Sequence, residues 1–110
     1  MIITTTATVE NRSIEDYLGL VAGESIMEEK VAKEIIMGIA SAPSDTTAGY
    51  KNQMTQARLS AIAEMTAKAE KMGANAVVAI NFDYIVIHDD MLMIATSGTA
   101  VKLAEPSISM

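Results

Sequence analysis

GANAVVAINFDYIVIHDDMLMIATSGTAVKL, residues 73–103, decides the fold of this chain. A glycine where a helix stops is followed by a β-branched and aromatic run, an acidic turn at His88-Asp89-Asp90, and a second long apolar run. This is the pattern of two strands joined as a hairpin. Period-two alternation puts Val78, Ile80, Phe82, Tyr84 and Val86 on one face of the first strand. Val77, Ala79, Asn81, Asp83, Ile85 and Ile87 fall on the other. In the second strand Met91, Met93, Ala95, Thr99, Val101 and Leu103 alternate with Leu92, Ile94, Gly98 and Ala100. Both faces are therefore largely apolar, with polar insertions in mid-strand.

Upstream of Gly73, Met54, Ala57 or Arg58, Ala61, Met65 and Met72 track one side of a helix that begins near Thr47 or Ala48. Ile62 and Ala69 widen the stripe, and Lys51, Gln56, Glu64, Lys68, Glu70 and Lys71 occupy the opposite side. Glu64 and Lys68 form an i,i+4 pair, and Gly73 stands at the left-handed C-terminal cap. Before this helix, Ser25-Ile26-Met27-Glu28 has capping-box spacing for a short helix with Met27, Val31, Ile35 and Ile39 on one stripe. Pro43 ends that helix, and Ser41 to Thr47 form the loop. At the start of the chain, Ile2 to Val9 and Ile14 to Glu24 read as strands on either side of a turn at residues 10–13. Gly19 and Gly23 inside the second strand mark a bend, a bulge or a close backbone approach.

With 110 residues the chain makes one domain, residues 1–110, with a modest core. A single amphipathic helix covers one face of a small sheet, which leaves the other face greasy and wet unless further copies cover it. The net charge of −6, eight scattered Lys and Arg, one Phe, three Tyr and no Trp supply neither a phosphate-tracking stripe nor a base-stacking platform. Nucleic acid is thus excluded as a partner. No uncharged apolar run is long enough to cross a bilayer, and the first residues have no signal-peptide pattern. Without cysteine there is no disulfide, thiolate nucleophile or zinc-finger ligand set, which suits a cytoplasmic protein. No phosphate-binding glycine loop and no diagnostic catalytic spacing occurs.

Several motifs occur together and in one order: an opening ITTT, Tyr17-Leu18-Gly19-Leu20-Val21-Ala22-Gly23-Glu24, and Gly73-Ala74-Asn75-Ala76-Val77-Val78. Asp83-Tyr84, Met91-Leu92-Met93 and Ser97-Gly98-Thr99-Ala100-Val101 complete the series. Through them the chain resembles the YbjQ-like family of small bacterial proteins, which carries the label "putative heavy-metal-binding". The resemblance implies a dodecin-like β-α-β-β subunit in a ring, typically a homopentamer, and no established activity. The chain departs from the family pattern at Met27-Glu28-Glu29-Lys30 and at Ala42 to Thr47.

Candidate sites follow from side-chain chemistry. His88, Met91 and Met93 offer an imidazole and two thioethers on one hairpin, a set that suits a soft metal ion such as Cu(I). The competing reading is a solvated turn with two packing methionines. Asp89 and Asp90 beside the imidazole form a harder alternative. Glu24, after Gly23, either lines a pore or ligand crevice of a ring or is simply a carboxylate favoured by the next helix N-terminus. Asn81 and Asp83 reach toward Ser97 and Thr99, as a polar patch for a ligand or as hydrogen bonds that set the register between subunits.

The expected fold is thus α+β: a mainly antiparallel sheet, one long helix and a shorter one before it, assembled as a homo-oligomeric ring. The expected function is non-enzymatic binding of a small ligand or metal at subunit boundaries. A ligand-free structural scaffold that contacts another protein is the alternative.

Overall fold

A computed structural model describes residues 1–27, 44–88 and 91–106, with residues 44–50 and 88 described by their backbone alone. Four strands and one helix make up the described fold: β1 (Ile2–Ile3), β2 (Ile14–Ile26), α1 (Ser44–Lys71), β3 (Ala76–His88) and β4 (Met91–Leu103). The sheet order is β1-β3-β4-β2. β1 runs parallel to β3, while the β3–β4 and β2–β4 ladders are antiparallel. The fold is therefore α+β with a mixed, mainly antiparallel sheet, as the sequence indicates.

The 28-residue helix spans about 42 Å and the 13-residue strands nearly the same length, so one helix lies along a whole sheet face. Its contact stripe is Ala57, Ala61, Met65 and Ala69, all buried. Small residues dominate because the helix comes down directly onto backbone. A Cβ added at Gly23 would collide with the Ala61 carbonyl and approach the Met65 nitrogen to 2.8 Å. Under the helix, Val21, Met65, Ala69, Val77, Ile80 and Ala100 form one cluster. Met27, Ala57, Leu92 and Ile94 form a second, toward the hairpin end. The helix stops at Gly73, whose φ of 87° places it in the left-handed region. Gly73 N–H donates to the Glu70 carbonyl and Ala74 N–H to that of Ala69, which closes the last turn.

Three expectations change. Only Ile2–Ile3 of the predicted first strand are strand; residues 5–8 are bends, although the backbone of Thr4 and Thr6 still bonds to β3. Thr4 N–H reaches Val77, while the Thr4 and Thr6 carbonyls accept from Ile80 and Ala79. The capping box does not form at Ser25, because Ser25 and Ile26 continue β2 opposite Ile94 and Met93. Met27 N–H then donates to the Leu92 carbonyl. Cross-strand bonding has outcompeted the local cap. The rest of the short helix lies outside the described residues. The long helix begins at Ser44, within the stretch expected to be loop.

The strand faces also change. Ala79 has a φ of 55°, and the β3–β4 register shifts between Val78 and Asn81. That bulge returns the chain to the same face one residue late. Val77 therefore packs under the helix with Ile80, whereas Val78 joins the opposite face. There Ala76, Val78, Val101 and Leu103 are covered by Ile2, Val9 and Ile14 from the N-terminal segment. Arg12 Nε donates to the Ala104 carbonyl at 2.7 Å and fastens this segment to the end of β4.

Candidate ligand site on the open sheet face

The N-terminal segment covers only one end of the sheet face away from the helix. Beyond it, the cross-strand partners stand in rows from β2 through β4 to β3. Leu20, Thr99 and Val78 make the first row; Ala22, Ser97 and Asn81 the second. Glu24, Ala95 and Asp83 follow, then Ile26, Met93 and Ile85. Two polar rows thus lie between two apolar ones, over a floor of small residues.

All five residues expected to bind a ligand fall on this face. Asn81 is directly opposite Ser97, and Glu24 shares a row with Asp83. Thr99 lies beside Leu20 and Val78 rather than near Asp83, so the expected Asp83–Thr99 contact does not form. Glu24, Asn81 and Asp83 are exposed; Ser97 and Thr99 are half-buried. Glu24 lies within β2, two residues before its end; the helix start expected after it lies outside the described residues. Among the described residues neither Glu24 nor Asp83 has an ion-pair partner; the Lys68–Glu64 bridge is on the helix. The rows carry two carboxylates and no cationic side chain, so their field favours positive charge.

The frame around these rows is unusually exposed for its chemistry. Leu20 is 80% exposed, Ile26 61% and Ile85 41%, on a face where a lone subunit offers no cover among the described residues. Thr96 fixes the strand that carries the polar pair: its buried hydroxyl donates to the Asn81 carbonyl at 3.0 Å. Thr96 escapes a reading of the sequence because a lone threonine in a strand is ordinary. The framing role of Leu20 and Ile26 is equally hidden, since it depends on the β2–β4 register.

The hairpin end supplies the soft donors. Met91 and Met93 are on the open face, the first exposed and the second half-buried. The backbone of His88 is in register with Met91. Asp89 and Asp90 are outside the described residues. Among the described residues no group of three His, Cys, Asp or Glu gathers in one place. Among the described residues those donors do not gather into a site, and His88, Met91 and Met93 stand as a partial, soft set.

No described helix is long and apolar enough to cross a membrane. Residues 1–104 match the family model described as "Putative heavy-metal-binding", the YbjQ-like family. A UPF0145 protein of Anoxybacillus flavithermus is 40% identical over 105 residues, covering 96% of this chain and 100% of the relative. A UPF0145 protein of Geobacillus thermodenitrificans is 41% identical, covering 94% and 99%. The fold is similar to the crystal structure of a DUF74-family protein of unknown function from Pediococcus pentosaceus, with a TM-score of 0.64 and 17% identity. That likeness covers 94% of this chain and 98% of the other. These family descriptions name no reaction, and this chain, matched along nearly its whole length, belongs to the YbjQ-like, UPF0145 family.

Proposed function

We propose that copies of this chain form a ring, a homopentamer as the resemblance implies, that binds a small ligand at subunit boundaries without catalysing a reaction. One observation carries the reading: Glu24, Asn81, Asp83 and Ser97 occupy adjacent rows of a mainly apolar face that the N-terminal segment covers only at its other end. Apolar area of this kind is a liability in a monomer and an asset in an assembly. Two carboxylates without a cation favour a ligand that carries positive charge or hydrogen-bond donors. Among the described residues no helix is long and apolar enough to cross a membrane, which suits a cytoplasmic ring.

The test is a thermal-shift screen of small amines and divalent cations against the wild-type chain and its Glu24→Gln and Asp83→Asn variants. A stabilising compound whose effect vanishes in both variants is the expected result. No stabilisation by any compound, with the assembly intact, favours the scaffold reading instead.

A second reading places a soft ion, Cu(I), at His88, Met91 and Met93, supported by the register of His88 with Met91. Copper bound under reducing conditions, and lost in the His88→Ala, Met91→Leu double variant, is its signature.

A further inference from the structure

The sheet ends in two edges, and among the described residues each is protected at one end only. On β3 the N-terminal segment occupies the edge as far as Ile80, whose N–H donates outward to the Thr4 carbonyl at 3.1 Å. From Asn81 to His88 no described strand pairs with that edge. On β2 register shifts between Ile14 and Asp16, and between Tyr17 and Gly19, disturb the first half. From Gly19 to Ile26 the strand pairs with β4 residue for residue, and its outer edge has no described partner.

The two unprotected stretches, 20–26 and 81–88, are of similar length. They also lie at the same end of the sheet, because Leu20 and Val78 flank Thr99 while Ile26 and Ile85 flank Met93. Natural edges are usually guarded by lysine, proline, bulges or brevity. Tyr84-Ile85-Val86-Ile87 has no lysine or proline, its register with β4 shifts only at its far end, between Val86 and His88, and its residues are 41–56% exposed on both faces. Bare backbone donors and acceptors beside exposed β-branched residues are a template for another strand.

We propose that residues 81–88 of one copy add as a strand to residues 20–26 at the outer edge of β2 in the next copy. The inference rests on the assembly reading above and specifies its seam. A β3-to-β3 pairing would leave every β2 edge bare, whereas β3-to-β2 pairing satisfies both edges at every subunit. It is a heterologous contact, which closes into a ring when the rotation permits. β2 and β3 both run antiparallel to β4 and hence parallel to each other. Rotation about an axis along the strands therefore makes the seam a parallel pair. Within one subunit Glu24 and Asp83 are two strand spacings apart, roughly 10 Å. Across the seam, the strand carrying Asn81 and Asp83 becomes the immediate neighbour of the strand carrying Glu24 of the partner subunit. The ligand site is incomplete without the second copy.

Strand alternation supplies the test. Ile80 directs its N–H outward, so Phe82, Tyr84 and Val86 direct theirs to the same bare edge, and Ile85 directs its own toward β4. Val86→Pro removes an edge donor and blocks an incoming strand without breaking the β4 ladder. Native mass spectrometry should show the wild-type multiple fall to a single chain in Val86→Pro, with the circular dichroism of the wild type. If Val86→Pro does not fold, cross-linking decides: the chain has no cysteine, so introduced thiols are unique. Co-expressed Ala22→Cys and Ile85→Cys chains of different tagged mass should give the mixed 22–85 product with a short bis-maleimide. Only 85–85 products, or a folded Val86→Pro that keeps the wild-type mass, overturns the seam while the assembly reading survives. A monomeric wild type overturns both.

Discussion

Glu24 and Asp83 stand in one row of the sheet, on opposite sides of Ala95, although they are 59 positions apart in the chain. Both are exposed, and among the described residues neither has an ion-pair partner. This relationship ties the hairpin to β2 and sets the chemistry of the open face.

Their exposure makes the row dispensable for folding. Glu24→Gln and Asp83→Asn should each change stability by less than about 0.5 kcal/mol, as surface substitutions usually do. Urea unfolding checks this, and the same variants should abolish any cation- or amine-dependent thermal shift.

Gly23 is the opposite case. A methyl group there meets helix backbone, the Ala61 carbonyl and the Met65 nitrogen, which cannot rotate away. Gly23→Ala should cost about 3 kcal/mol, the upper end for overpacking, because α1 must lift from β2. A downward shift of the urea midpoint measures it.

Asn75 is a bracket for the end of β4. Its Nδ2 donates to the Leu103 carbonyl at 3.1 Å, and its Oδ1 accepts from Leu103 N–H at 2.7 Å. Asn75→Ala leaves both backbone groups without that partner and should destabilise by about 2 kcal/mol. Amide exchange should accelerate at Leu103 before it does at Ile94.

The Lys68–Glu64 bridge is 3.2 Å long and about half exposed on both sides. Solvent screens such a pair, so Lys68→Ala should change stability by less than about 0.5 kcal/mol. A double-mutant cycle with Glu64→Ala reads the coupling directly.

The sequence makes the hairpin, the long helix and its glycine cap legible, because each rests on local periodicity or on a residue with a defined backbone role. Gly19 and Gly23 also announce themselves, as a bend with φ of 139° and as a close helix contact. The bulge at Ala79 does not. Nothing in Val-Val-Ala-Ile predicts a positive φ at an alanine, and that one residue moves Val77 and Val78 to faces other than those alternation assigns. Ser25 fails for a related reason: a capping box is a local preference, whereas the β2–β4 ladder offers Ser25 and Ile26 a longer run of bonds. The site residues could be picked out as polar interruptions of apolar strands. Their grouping into rows required the register, which three strands set jointly.

The central claim is that copies of this chain cover the open face. Native mass spectrometry of protein purified without chelator tests it most directly. The account predicts a fivefold mass, with a reproducible non-protein increment if the ligand is retained through purification. A single-chain mass at micromolar concentration, with the fold intact, contradicts it.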